Sequence, residues 1–161
     1  MVKYIAHRGN TQGPQPSFEN TIEYLRSAYQ DYDVEIDLIG HNGVLYLGHD
    51  EPLQPAPLDF VQSEGVWCHA KNYEAATLLS SMRTHWFWHQ EDDFALTSKE
   101  FFWCFPNIQI QHPKAVWLDL GDNVCLPKGI DNIYAICGDT VSNNSWNQKL
   151  TKSEKDLKAK K

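Results

Sequence analysis

The second half of this chain leaves too little sequence between its strands for helices to fit. Strand-like runs occupy His85 to His89, Phe94 to Thr97, Phe101 to Phe105, Ala115 to Leu120 and Ile133 to Cys137. Four residues separate the first two runs and three separate the next two. A parallel crossover through a helix takes roughly ten residues or more. Those links therefore lack full helices, or some of the strands they join run antiparallel.

The first half has room for helices. Tyr4 to His7 reads as a short strand ending in an Arg-Gly turn. Phe18, Ile22, Leu25, Ala28 and Tyr29 recur at three- and four-residue steps, which predicts an amphipathic helix over Phe18 to Tyr29 with Ser17 as its N-cap. From Asp33 to Ile39, Val34, Ile36 and Leu38 alternate with Asp33, Glu35 and Asp37, the period of a strand. His41-Asn42-Gly43 is a turn leading into a strand at Val44 to Leu47. A strand at Val66 to Lys71 and a helix at Tyr73 to Arg83 follow. Strand, helix, strand in that order predicts a parallel α/β layout.

Composition narrows the function classes. The 161 residues are 42% hydrophobic and 22% charged, which predicts a globular domain over residues 1–145. Residues 146–161 form a polar, Lys-rich tail expected to be disordered. No apolar run is long enough to span a membrane, and the N-terminus lacks the apolar core of an export signal, so a cytoplasmic location is expected. The formal net charge of -7 argues against a nucleic-acid partner. Cys68, Cys104, Cys125 and Cys137 form no CxxC pair, so they read as buried reduced thiols, not as a zinc site.

Chemistry concentrates in the first third, at His7-Arg8-Gly9, Glu19-Asn20-Thr21, Glu35-Ile36-Asp37 and Gly48-His49-Asp50. Glu35 and Asp37 lie two apart on a strand and so share one face. Two carboxylates there are either solvated or, if buried, balanced by a cation, and oxygen ligands favour Mg²⁺ or Ca²⁺. His7 and His49 each end a strand beside a tight glycine and suit a general base and general acid. Arg8 suits bidentate phosphate binding. His69 and Lys71 repeat the two-residue spacing on a later strand, where Lys71 is placed to bind an anion and His69 to bind a metal or to hydrogen-bond.

These four segments, in this order over residues 3–50, resemble the glycerophosphodiester phosphodiesterase family, whose pattern is HRG, PENT, ExD and GHD. The likeness beyond that is looser. Ile136-Cys137-Gly138-Asp139 resembles the family's last strand end, and Trp103 or Trp117 its late tryptophan. The resemblance implies a compact (β/α)8 TIM-type barrel, here shortened, with several outer helices reduced or missing, since a full barrel takes ~250 residues. An open face could be covered by a partner subunit. It also implies metal-dependent hydrolysis of small-molecule glycerophosphodiesters to glycerol-3-phosphate and an alcohol. His7 and His49 would be the acid–base pair, Arg8 and Lys71 the phosphoryl-binding residues, and Glu35 and Asp37 ligands of a divalent ion (Mg²⁺, Ca²⁺ or Mn²⁺). Glu19 would help that site or merely start a helix. His69 stands where the family has an acidic ligand, and a neutral imidazole there shifts preference toward softer metals. The alternatives are a catalytically decayed phosphate-ligand-binding barrel, or a phosphodiesterase acting on another lipid headgroup.

Overall fold

The structure is a computed structural model and describes residues 2–121 and 129–142. Its backbone order begins with β1 (Lys3–His7), α1 (Ile22–Tyr29), β2 (Asp33–His41), β3 (Val44–Leu47), β4 (Gln54–Pro55) and α2 (Leu58–Val61). It continues with β5 (Val66–Ala70), α3 (Tyr73–Ser80), β6 (His85–Trp88), β7 (Phe94–Leu96), β8 (Phe102–Cys104) and β9 (Ala115–Asp119). A 3₁₀ turn at Ile130–Asn132 then precedes β10 (Ala135–Gly138).

The expected (β/α)8 barrel is not what forms. The ten strands make one mixed, curled sheet, and only three short helices accompany it among the described residues. Strands β6, β5, β2, β1, β10, β9 and β8 lie side by side in that order and run parallel. Strand β3 pairs antiparallel with β2, β4 with β3, and β7 with β8. Link length decides the difference. Helices α1 and α3 fill the links from β1 to β2 and from β5 to β6. The links around β7 hold only turns, so β7 doubles back on β8 instead of crossing over.

The sheet is buried on both faces along β2. On the convex side Val34, Ile36 and Leu38 pack under Leu25 and Ala28 of α1, Phe60 and Val61 of α2, and Ala75 and Leu79 of α3. Helices of eight, four and eight residues are marginal alone, so this packing is what holds them. Each fully buried Leu or Ile contributes about 1.5–3 kcal/mol. The β8–β10 flank lacks helices, and Ile108, Ile110, Ile130 and Ile133 from loops and the 3₁₀ turn cover it instead. The concave side is filled by Ile5, Trp67, Phe87, Trp103, Val116, Ala135 and Cys137. Trp103 on β8 stacks against Phe87 on β6 at 4.4 Å, so side chains meet across two strands that do not pair.

Element positions follow the sequence reading, with differences at several ends and two short elements added. The first helix starts at Ile22, not Phe18, because Asn20 takes a left-handed backbone (φ 60°) that no helix continues through. Thr21, not Ser17, stands at the N-cap. Helix α3 ends at Ser80 and β5 at Ala70, while β4 and α2 were not anticipated. Cys125 and the tail 146–161 lie outside the described residues. Among the described residues no helix is long and apolar enough to cross a membrane.

Candidate metal and phosphate site

Strand register assembles the site. His7 pairs with Glu35 across β1 and β2, and Asp37 pairs with His69 across β2 and β5. Neighbouring partners on parallel strands share a face, so the four side chains converge on the concave side, at the C-terminal ends of β1 and β5 and within the first five residues of β2. There the reading of Glu35 and Asp37 as a solvated pair fails, since each residue is 1% exposed.

His69 lies with Nδ1 at 3.5 Å from both Glu35 Oε1 and Asp37 Oδ1. Its Nε2 is 3.0 Å from the His89 carbonyl oxygen, which can only accept, so Nε2 carries a proton. Nδ1 then either carries a second proton or aims a lone pair between the two carboxylates. Asp37 Oδ1 is buried and has no hydrogen-bond partner, an expensive state for a carboxylate oxygen. One donor atom from each of Glu35, Asp37 and His69 lies within 4.8 Å of the others. Two oxygens and an aromatic nitrogen at this spacing fit a single divalent ion.

The electrostatics agree with that fit. Burial favours the neutral form of Glu35, but His69 and the charges of His7 and Arg8 outweigh it and hold its carboxyl well below the usual range. Burial, together with the charge on Glu35, pushes Asp37 the other way. The two acids thus compete for the same compensating charge, and a cation between them removes the competition.

His7 has a second carboxylate behind it. Its Nδ1 is 2.8 Å from Asp139 Oδ1, at the end of the last strand, while Nε2 looks toward Glu35 Oε2 at 3.9 Å, too far for a hydrogen bond. Nδ1 donates to Asp139, leaving Nε2 as the free basic nitrogen. Burial lowers the His7 pKa, but the Asp139 hydrogen bond and the charges of Glu35 and Asp139 prevail and raise it. Asn10 Nδ2 donates to Asp139 Oδ1 at 2.9 Å and to Glu19 Oε1 at 2.7 Å, and Tyr24 OH donates to Asn10 Oδ1. Glu19 therefore belongs to this network and precedes the helix it was expected to start.

Arg8 holds a left-handed backbone (φ 54°), and its N–H donates to the Glu35 carbonyl at 3.0 Å. Its Nε lies 2.9 Å from Asp37 Oδ2 but off the line of a hydrogen bond, so the contact is electrostatic. Asn20 clamps Asp37, its Nδ2 donating to Oδ2 at 2.9 Å and its Oδ1 accepting the Asp37 N–H at 3.0 Å.

Comparison with known protein families, with curated proteins and with solved structures gave no match to this chain. The site therefore stands on its own geometry.

The structure thus gathers five of the seven residues singled out in the sequence: His7, Arg8, Glu35, Asp37 and His69. His49 is different. Its ring pairs with Asp50 at 2.8 Å and its side chain is 35% exposed. Gly48, one residue earlier, donates its N–H to the Asp37 carbonyl, so the His49 turn rests against β2 at the edge of the site. Gly48 has φ 149°, and an added Cβ would strike the Glu51 carbonyl. Lys71 follows β5, and its N–H donates to the Leu38 carbonyl at the same end of the sheet. Asp139, Asn10 and Asn20 were not assigned roles from sequence. The signal for Asp139 was its place at a strand end, the same signal that marked His7.

Proposed function

We propose that this chain hydrolyses phosphodiesters with the help of a divalent ion, releasing a phosphomonoester and an alcohol, with small glycerophosphodiesters as substrates and glycerol-3-phosphate as product. The observation that carries the reading is the unpartnered Asp37 Oδ1 beside His69 Nδ1, set next to a histidine whose other nitrogen is fixed by a carboxylate. The motif order that resembles glycerophosphodiester phosphodiesterases supports the choice of substrate.

Glu35, Asp37 and His69 would hold the ion, which when bound supplies charge to the phosphoryl oxygens and acidifies a nearby hydroxyl or water. His7 Nε2 takes the proton from the attacking oxygen, with Asp139 stabilising the resulting imidazolium through Nδ1–H. Arg8 and Lys71 bind the phosphoryl oxygens. His49 turns from Asp50 to protonate the leaving alcohol. We assign the activity to the cytoplasm, a reading supported by the buried free thiols Cys68, Cys104 and Cys137.

A binding-only reading, in which the chain holds a phosphate ligand without cleaving it, is favoured by one observation: the His49 ring faces Asp50. The assay that separates the two follows release of glycerol-3-phosphate from glycerophosphocholine with added divalent ions and with EDTA. Activity that chelation abolishes and metal restores is the expected result. Full activity after exhaustive chelation removes the metal, and binding without turnover favours the second reading.

A further inference from the structure

The choice of ion at this site is set by the shape of the His69 environment as well as by charge. The ring is held twice. Nε2–H is committed to the His89 carbonyl at 3.0 Å, and the ring stacks on Phe87 with centroids 4.7 Å apart and planes 23° from parallel. Register with Asp37 on the adjacent strand supplies a third constraint. Together they leave Nδ1 turned toward Glu35 Oε1 and Asp37 Oδ1, at 3.5 Å from each. Asp37 is itself clamped by Asn20 through Oδ2 and its backbone N–H, so the buried and unpartnered Oδ1 is the oxygen presented to the ring. When Nδ1 carries no proton, its lone pair facing two carboxylate oxygens is repelled by both, and a cation placed among the three atoms reverses every one of those contacts.

The donor set is two carboxylate oxygens and one preoriented imidazole nitrogen. Mg²⁺ and Ca²⁺ are hard ions that take oxygen and gain little from imidazole. First-row transition ions bind imidazole well, with affinity rising from Mn²⁺ to Cu²⁺ and falling back at Zn²⁺, which still exceeds Mn²⁺. Resting on the metal site proposed above, we infer that Glu35, Asp37 and His69 form a site that selects Mn²⁺ and Zn²⁺ over Mg²⁺ and Ca²⁺, with His69 Nδ1 as the discriminating ligand. The selectivity is built into the second ring nitrogen: the His89 carbonyl fixes the tautomer that frees Nδ1 for the metal.

The test uses the full chain, stripped with chelator and exchanged into metal-free buffer. Calorimetric titrations with Mn²⁺, Zn²⁺, Mg²⁺ and Ca²⁺ should give Mn²⁺ and Zn²⁺ at least about tenfold tighter than the other two. Pulsed EPR of the Mn²⁺ form should show a nitrogen coupling that disappears in His69→Glu, and that variant should narrow the gap between Mn²⁺ and Mg²⁺. Should His69→Glu fail to fold, the nitrogen coupling of the unmutated protein still decides. Absence of that coupling, or Mg²⁺ or Ca²⁺ binding as tightly as Mn²⁺, overturns the inference. So does a failure of every ion to bind, which would make His69 a charged partner of the two acids. Glycerophosphocholine hydrolysis measured in parallel keeps the two readings apart. Mn²⁺ binding with nitrogen coupling but no hydrolysis upholds the selective site and removes the proposed activity. Hydrolysis with Mg²⁺ and no nitrogen coupling does the reverse.

Discussion

Asn20 holds Asp37 at two points with one side chain, and only a residue tolerant of a left-handed backbone fits there. Asn20→Gly keeps the backbone and removes both hydrogen bonds. It should lower stability by about 1–3 kcal/mol in urea titrations and weaken divalent-ion binding on the order of 10–100-fold. Unchanged ion affinity would show that the clamp does not position Asp37. Asp139→Asn probes the other half of the site. It removes the charge behind His7, one of the causes that raise the His7 pKa. The ascending limb of kcat/KM against pH should therefore move to lower pH, with activity falling by roughly 10²-fold or more while ion affinity holds. A limb that stays in place would separate Asp139 from the acid–base step. At this scale the sequence carried the residue types but not their surroundings. Glu35 and Asp37 alternate with apolar neighbours as they would on a half-exposed strand. Their burial depends on Trp67 and His69 one strand away, a neighbour that no local pattern names.

At the scale of elements, α1 and α3 sit where periodicity put them, and their ends move for local reasons. Asn20 delays α1 because its side chain is used by β2, not by the helix. Asn72 caps α3 by accepting from the Ala75 N–H, and the same side chain brackets Gly40 on β2 through its N–H and its carbonyl. Gly40 permits that approach, since an added Cβ would lie 2.5 Å from the Ala75 nitrogen. Gly40→Ala should therefore cost about 1–3 kcal/mol, read as a lower urea midpoint with an unchanged slope. A neutral result would mean that α3 shifts freely on the sheet. The two-residue β4 and the four-residue α2 are too short to leave a periodic trace, which is why they escaped the sequence reading.

For the whole molecule, strand positions were legible and strand partners were not. The barrel expectation came with the motif resemblance, and the short links after His89 and Thr97 argued against full helices there. What they left open was the outcome at β7, which pairs backward on β8 and leaves β6 and β8 unpaired with each other. The end of the sheet away from the site offers a test of the whole fold. His85 begins β6, is 8% exposed, lies against Trp67 and has Nε2 2.7 Å from Thr97 Oγ1. Burial, assisted by Lys99, lowers its pKa from 6.5 to about 4. The unfolded chain therefore takes up this proton first. The stability it contributes is present above about pH 6.5 and is lost as pH falls toward 4. His85→Gln should flatten that part of the stability profile in denaturation curves at pH 7 and pH 5. An identical slope in both proteins would assign the loss to other groups.

Strand β1 has its two parallel neighbours at opposite ends of the chain's history, since Lys3 pairs with Ala135 and Ile5 pairs with Asp33. Closing the first of these contacts spans nearly the whole chain and costs more loop entropy than closing the second. Glu35, Asp37 and His69 come from β2 and β5 and can meet once the first half has collapsed. The His7–Asp139 contact must wait for β10. Refolding should consequently recover metal binding in an earlier phase than it recovers the charge-supported base. On a ribosome, the proposed ion's cradle would be ready before the proposed proton acceptor.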